Sequence, residues 1–231
     1  MIEFSRHIAE KLAFNAKVEH KPKMMVETIQ QLRKEMMARA KGNQVIDVSD
    51  IDVSGLTDFS RAFSSLEKVE IIYGLDNWNT TKATNMDNMF FYCTSLKEID
   101  LSGFDTSNVT SMNGLFSFCH DLEDIELGFF DTSHVKNMSN MFNNCKSIKE
   151  VDMTSFDTSS VEMMNSMFKN CKSLERVDMR GLDVSNVREC FGMFFQCDSL
   201  KKVDGFDDLK LNIKTRKSSL FSKDTKEIDL K

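Results

Sequence analysis

The sequence predicts an α/β repeat fold, a solenoid with a parallel sheet on one face and short helices on the other. Three observations predict it. The first is recurrence: Cys93, Cys119, Cys145, Cys171 and Cys197 are each 26 residues apart. Phe90, Phe116, Phe142, Phe168 and Phe194 keep that step, as do Ala83, Val109, Val135, Val161 and Val187. Two more columns run Met86, Met112, Met138, Met164, Cys190 and Trp78, Phe104, Phe130, Phe156, Leu182. Five columns in register define a repeat array. The second observation is spacing within a unit. Leu96, Ile99 and Leu101 have the L-x-x-L-x-L pattern of a leucine-rich-repeat strand, while Val109, Met112, Phe116 and Cys119 step by 3, 4 and 3, one face of a short helix. The third is energetic. A 26-residue unit cannot bury its own apolar face, so neighbouring units must complete the core.

The elements follow in chain order. Residues 1–42 read as a helical N-terminal cap, with one stripe at Phe4, Ile8 and Leu12 and a stronger one at Met25, Ile29, Leu32 and Met36 after Pro22. Residues 43–208 read as the solenoid, with six to seven repeats. Its first unit places Ile46, Asp47 and Val48 where later units have Ile99 to Leu101. The second is irregular, losing three residues after Phe63 and gaining four between Ile71 and Trp78. In the regular units Asp105 suits an Asx turn and Ser107 a helix N-cap, each able to accept an orphan backbone N–H. The cap column holds Ser54, Thr81, Ser107, Ser133, Ser159 and Ser185. The last strand starts at Leu200 and Val203, with Gly205 in place of the third apolar residue. Residues 209–231 read as a basic C-terminal cap or tail that ends in a short strand at Glu227 to Leu230.

Composition narrows the function classes. Of 231 residues, 41% are hydrophobic and 29% charged, which is globular rather than disordered. The sixteen methionines suit irregular gaps between Phe rows and call for no cofactor. The formal charge of −6 divides unevenly: +4 over residues 1–42, −14 over 43–208 and +4 over 209–231. An acidic centre lacks the basic footprint that phosphates require, so nucleic acid finds a place only at the basic ends. No apolar run approaches the ~18 residues of a membrane span. Met1 to Lys11 carries four charges and no long apolar centre, unlike a secretory signal. The expected location is therefore the cytoplasm, or the cell surface or medium if an export signal has been removed.

The units IDLSGFDTSNVTSMNGLFSFC and VDMTSFDTSSVEMMNSMFKNC resemble the BspA-like, or Mycoplasma-lipoprotein-type, surface-protein repeat. VETIQQLRKEMMARAKGNQVIDVSDIDVSGLTDFSRAF is similar to the usual opening of that family. The resemblance covers roughly residues 24–208. It implies a leucine-rich-repeat-like solenoid used for adhesion or host-protein binding, with no catalytic residues to carry over. The chain departs from the family pattern in showing no signal peptide, lipid-attachment cysteine or wall anchor.

Candidate sites separate into scaffold and surface. Five of the six cysteines lie beside Phe on one face and Cys190 takes a Met place, which suits small buried hydrophobes; the spacing also leaves room for a bridged ladder. No C-x-x-C occurs and no His shares a cysteine column, so no metal site and no catalytic thiol is expected. The recurrent FDTS motif reads as scaffold. Neither a catalytic set nor a cofactor loop is found. Asp47, Glu70, Asp100, Glu126, Asp152, Asp178 and Asp204 form an outward acidic column whose mutual repulsion needs compensation. Turn backbone or flanking Lys would supply it; so would a cation, calcium being a weaker option without glycine-rich Asp loops, or a basic partner. Beside it Glu67, Lys97, Glu123, Lys149, Glu175 and Lys201 alternate in sign, which favours correct register.

The functional expectation is a monomeric, non-enzymatic protein-binding module without cofactor. Its partner-binding strip would be Lys97, Glu98, Asp100, Glu123, Asp124, Glu126, Lys149, Glu150, Asp152, Glu175, Arg176 and Asp178, side by side on the strand face. One version is an intracellular effector or phage-type inhibitor that meets a basic protein surface. The other, implied by the resemblance, is an exported adhesin or host-protein binder.

Overall fold

The structure, a computed structural model, describes residues 23–209, 220–221 and 228–229. Phe4, Ile8, Leu12 and Pro22, on which much of the cap expectation rests, lie outside the described residues. A helix spans Ile29–Ala40 and buries Leu32 and Met36. Its start differs from expectation: Met25 is not helical but lies exposed in strand β1, Met24–Met25. Thr28 is the cause. Its hydroxyl accepts the Gln31 N–H while Gln31 Oε1 accepts the Thr28 N–H, a capping box that fixes the first turn. At the other end Arg39 pairs with Glu35 and Asp50, tying the helix to the first coil.

Beyond the helix the chain winds as a parallel β-solenoid of about seven coils. Strands β2 (Val45–Asp47), β4 (Ile71–Tyr73) and β5 (Glu98–Ile99) pair in parallel, with Ile46, Ile72 and Ile99 in register. Strand β3 (Ile51–Asp52) pairs with β1. A third sheet holds β6 (Glu150–Asp152), β7 (Arg176–Asp178) and β8 (Lys202–Asp204), aligning Val151, Val177 and Val203. The expected single sheet is not continuous: its main ladder falls into two blocks, β2–β4–β5 and β6–β7–β8, because the coil at residues 121–127 forms no strand. Its Asp124 accepts the Ile125 N–H at 2.8 Å, closing on itself a donor that a ladder would use. The other coils have Glu98, Glu150, Arg176 or Lys202 at this place in the period.

The expected helix in each repeat is not a helix. N–H groups of Met86, Asn88, Phe90 and Tyr92 donate forward to Ser111, Asn113, Leu115 and Ser117 carbonyls of the next coil, at 2.8–3.0 Å. The intervening Met89, Phe91 and Cys93 N–H groups donate to carbonyls three residues back. The segment is a run of tight turns, laddered coil to coil, and every fourth residue takes the left-handed region. Asn88 and Tyr92 do so at φ 56° and 63°, and Asn140 and Asn144 at 58° and 64°. Bridges through Asp58, Asn85, Ser111, Asn137, Met163 and Glu189 carry this ladder across the sheet break without interruption. Ser107 correspondingly caps no helix. Its hydroxyl and N–H both donate to Asp105, as Ser133 and Ser159 do to Asp131 and Asp157, so the Asx turn is the real element.

Inside, the columns become stacks. Phe63, Phe90, Phe116, Phe142, Phe168 and Phe194 lie ring on ring at 5.1–5.7 Å, and Phe221 continues the stack beyond Phe194 at 5.3 Å. The winding also continues through Asp229, which bridges Lys202 in parallel, within the strand expected at the C-terminus. Buried Thr80, Thr106, Thr132 and Thr158 donate to the Asp105, Asp131, Asp157 and Asp183 carbonyls one coil ahead. The cysteine ladder is unbridged. All six thiols are free and buried, and those of Cys93, Cys119, Cys145, Cys171 and Cys197 donate to Phe carbonyls at 2.9–3.2 Å.

Burial pushes the Cys93 and Cys197 thiols up to about 12 and raises those of Cys119, Cys145 and Cys171 as well. Thiolate is the reactive form. In native buffer at pH 8, a disulfide reagent such as DTNB should therefore titrate essentially none of the six within minutes. All six should react at once in denaturant. Prompt reaction of the folded protein would show that the stack opens locally.

Candidate partner-binding surface

The strand face places the twelve expected residues on successive coils. Lys97, Glu98, Glu123, Asp124, Glu126, Lys149, Glu150, Asp152 and Glu175 are exposed, and Asp100 and Arg176 are half-buried. Asp178 does not project into solvent as expected; it is 3% exposed. Arg180 and Arg176 cover it, with Arg180 Nη2 at 2.6 Å and Arg176 Nη2 at 2.9 Å from Asp178 Oδ2. Arg176 Nε also reaches Asp204 at 2.6 Å, and Lys202 reaches the other Asp204 oxygen at the same distance.

Backbone N–H groups compensate most of the acidic column. Asp47, Asp100, Glu126, Asp152 and Asp178 each accept the N–H two residues onward, from Ser49, Ser102, Gly128, Thr154 and Arg180, at 2.8–3.2 Å. Glu70 takes Lys97 Nζ at 2.7 Å instead. In the alternating column Lys149 approaches Glu123 at 3.9 Å and Lys201 meets Glu175 at 2.6 Å, whereas Lys97 turns to Glu70. These pairs are largely exposed and contribute little each.

Charge compensation is uneven along the face. The C-terminal block has Arg176, Arg180, Lys201 and Lys202 beside its acids. The strandless coil has Asp121, Glu123, Asp124 and Glu126, all exposed, with no basic residue between 121 and 127. Lys97 and Lys149 flank it from the neighbouring coils. The sequence strip includes three of these acids but not Asp121, which falls outside the strand pattern. Arg180 was likewise outside the strip, although a guanidinium two residues after Asp178 is the signal for its shield.

The turn carboxylates make the fold acid-sensitive. Serine hydroxyl and then backbone hydrogen bonds hold Asp105, Asp131 and Asp157 below the usual carboxylate range. Arg180 does the same for Asp178, and Lys202 for Asp204. A folded pKa below the unfolded one contributes stability above the unfolded value, lost as pH falls through the folded value. Urea midpoints should be insensitive to these groups between pH 7 and about 5 and should fall steeply below about pH 4. A midpoint that rose on acidification would contradict the assignment.

Among the described residues no three His, Cys, Asp or Glu side chains gather to hold a metal ion, and no helix is long and apolar enough to cross a membrane. Fold and surface together define a leucine-rich-repeat-like solenoid. Residues 30–126 and 115–227 match the family described as Mycoplasma protein of unknown function, DUF285, and the chain belongs to that BspA-like repeat family. No curated protein matches the chain. Among solved structures it is similar to a leucine-rich repeat protein from Bacteroides ovatus ATCC 8483, at 16% identity and a TM-score of 0.27. That alignment spans 71% of this chain and 56% of the other.

Proposed function

We propose that the chain is a non-enzymatic, monomeric protein-binding module whose strand face receives a basic protein surface. The observation that carries this reading is the coil at 121–127, where four exposed carboxylates stand together with no basic residue among them, while the coils on either side each set a lysine, Lys97 or Lys149, among their acids. Potential concentrated on an extended face steers association and fixes partner choice more than it sets raw affinity. The strip expected from the sequence contributes its exposed members around this centre. Asp178 serves within the Arg176–Arg180 shield. The buried thiols suit a reducing compartment, which supports the intracellular version; the exported adhesin is the alternative.

The test is a paired capture from source-cell lysate and host surface extract. One bait is the natural chain and the other carries Asp121→Lys and Glu123→Lys, neither of which accepts a turn N–H. A partner bound by the first bait and weakened at least about tenfold on the second supports the acidic face. The extract that supplies it decides between the two versions. A partner held equally by both baits removes the strand face as the binding site.

A further inference from the structure

Tyr92 and Phe118 sit where a folding sequence has little reason to put them. Their column in the turn ladder continues as Asn144, Asn170 and Gln196, and Ser65 precedes it. All six positions are left-handed, with φ between 60° and 66°. Asn is among the residues that tolerate this region best, whereas bulky aromatics enter it rarely. Yet two adjacent coils carry aromatics there, and their rings do not retreat into the core. Tyr92 is 37% exposed and Phe118 half-buried. The rings lie 5.6 Å apart, with Phe91 against Phe118 at 5.5 Å and His120 against Phe118 at 6.0 Å. Burial first, and then Lys146, lowers the His120 pKa, which favours its neutral ring. Four rings thus form one surface cluster on the turn ladder, bordering the acidic coil only at His120.

We infer that this cluster is a second binding site, for a neutral oligosaccharide. Size argues first. Four partly covered rings offer on the order of a few hundred Å² between them, well short of the about 1,000 Å² of a stable protein interface. A small flat ligand fits that area. The rim argues next. Along the solenoid the rings are followed by Ser65 on one side and Asn144 on the other, a hydroxyl and an amide without formal charge. Asn144 is held in place, donating to Asn143 at 2.7 Å and accepting from Asn170, so its amide is set before a ligand arrives. Lys146 and Asp121 beside His120 oppose each other in sign. Apolar ring faces bordered by fixed neutral hydrogen-bonding groups match the C–H faces and hydroxyls of a sugar chain. Because Lys146 and Asp121 offset each other, a charged peptide or an anionic lipid would find no net counter-charge here.

The test uses the full chain with maltohexaose, cellohexaose and chitohexaose as probes, followed by saturation-transfer NMR and calorimetric titration. The variant is Tyr92→Asn with Phe118→Asn, which installs the residue other coils use at this φ. At least one probe should bind the natural chain, with transfer from aromatic protons, and bind the variant at least about tenfold more weakly. The variant should keep or raise its melting temperature, since the strained rings are gone. Absence of binding by all three probes overturns the inference, as does equal binding by the variant. A variant that melts well below the natural chain would show that the rings serve the fold, and would also overturn it.

Discussion

Phe142→Ala should destabilise the protein by about 3–5 kcal/mol, more than any other single truncation in the regular coils. Phe142 is fully buried and stacked between Phe116 at 5.7 Å and Phe168 at 5.6 Å, so the substitution opens a cavity and removes two ring contacts. Position adds to the effect. The strand ladder is already interrupted at residues 121–127, so the turn ladder and the Phe stack carry much of the coupling across that coil. In a repeat array stability is roughly a sum of unit and interface terms, and weakening one interface uncouples the sides. Urea unfolding of the variant should accordingly split into two transitions, the earlier one belonging to one block of coils. Phe168→Ala, further into the strand-paired block, should shift a single transition instead. A single unshifted transition for Phe142→Ala would refute the coupling assigned to the stack.

The second large effect belongs to a glycine. Gly103→Ala would set a Cβ 2.0 Å from the Asp76 carbonyl oxygen and 2.8 Å from its Cα. Backbone occupies that space because the irregular unit folds its extra residues into a short 3-10 turn, Leu75–Asn77, that lies over the next coil. The expected cost is about 1–3 kcal/mol of overpacking, felt as a lower melting temperature. Ser155→Ala, at the same place in a regular coil, should be within about 0.5 kcal/mol of neutral. Equal melting temperatures for the two variants would mean that the 3-10 turn yields without resistance.

Most of the fold was legible because the period is a covalent fact. Columns at 26 residues become stacks whatever the path between them, and Phe116, Cys119 and Val109 are buried as expected. The path itself was misjudged. Spacings of 3, 4 and 3 satisfy a helix, but they equally satisfy tight turns that bury every third or fourth side chain. The discriminating signal was at the left-handed positions. Asn88, Gly114, Asn140 and Gly192 share a column, and glycine in mid-helix is disfavoured while both residues tolerate positive φ. The helix start is legible too, in the Thr28–Gln31 box, although the stripe that includes Met25 points to an earlier start.

The surface was less legible, for a physical reason. Periodicity says which residues point outward, not what neutralises them. Asp100 and Asp152 look identical to Asp178 in the repeat, and all three receive a turn hydrogen bond, yet Asp178 alone is roofed by Arg176 and Arg180. At the break Asp124 accepts the N–H of its own neighbour, whereas glutamate at that place in two other coils lies in a strand.

The near-identity of the coils creates a hazard during folding. Any coil presents Phe, Met and Cys to receive any other, so a newly formed coil could dock on its second neighbour and loop out the one between. Hydrophobic matching alone would hardly object. The alternating column does: skipping a coil would bring Glu123 against Glu175, or Lys149 against Lys201, where correct neighbours bring opposite charges together. The 3-10 turn over Gly103 adds a second mark, since it fits the following coil alone. Weak surface ion pairs thus acquire a value unrelated to the stability of the finished fold. They number the coils, and the chain winds in order.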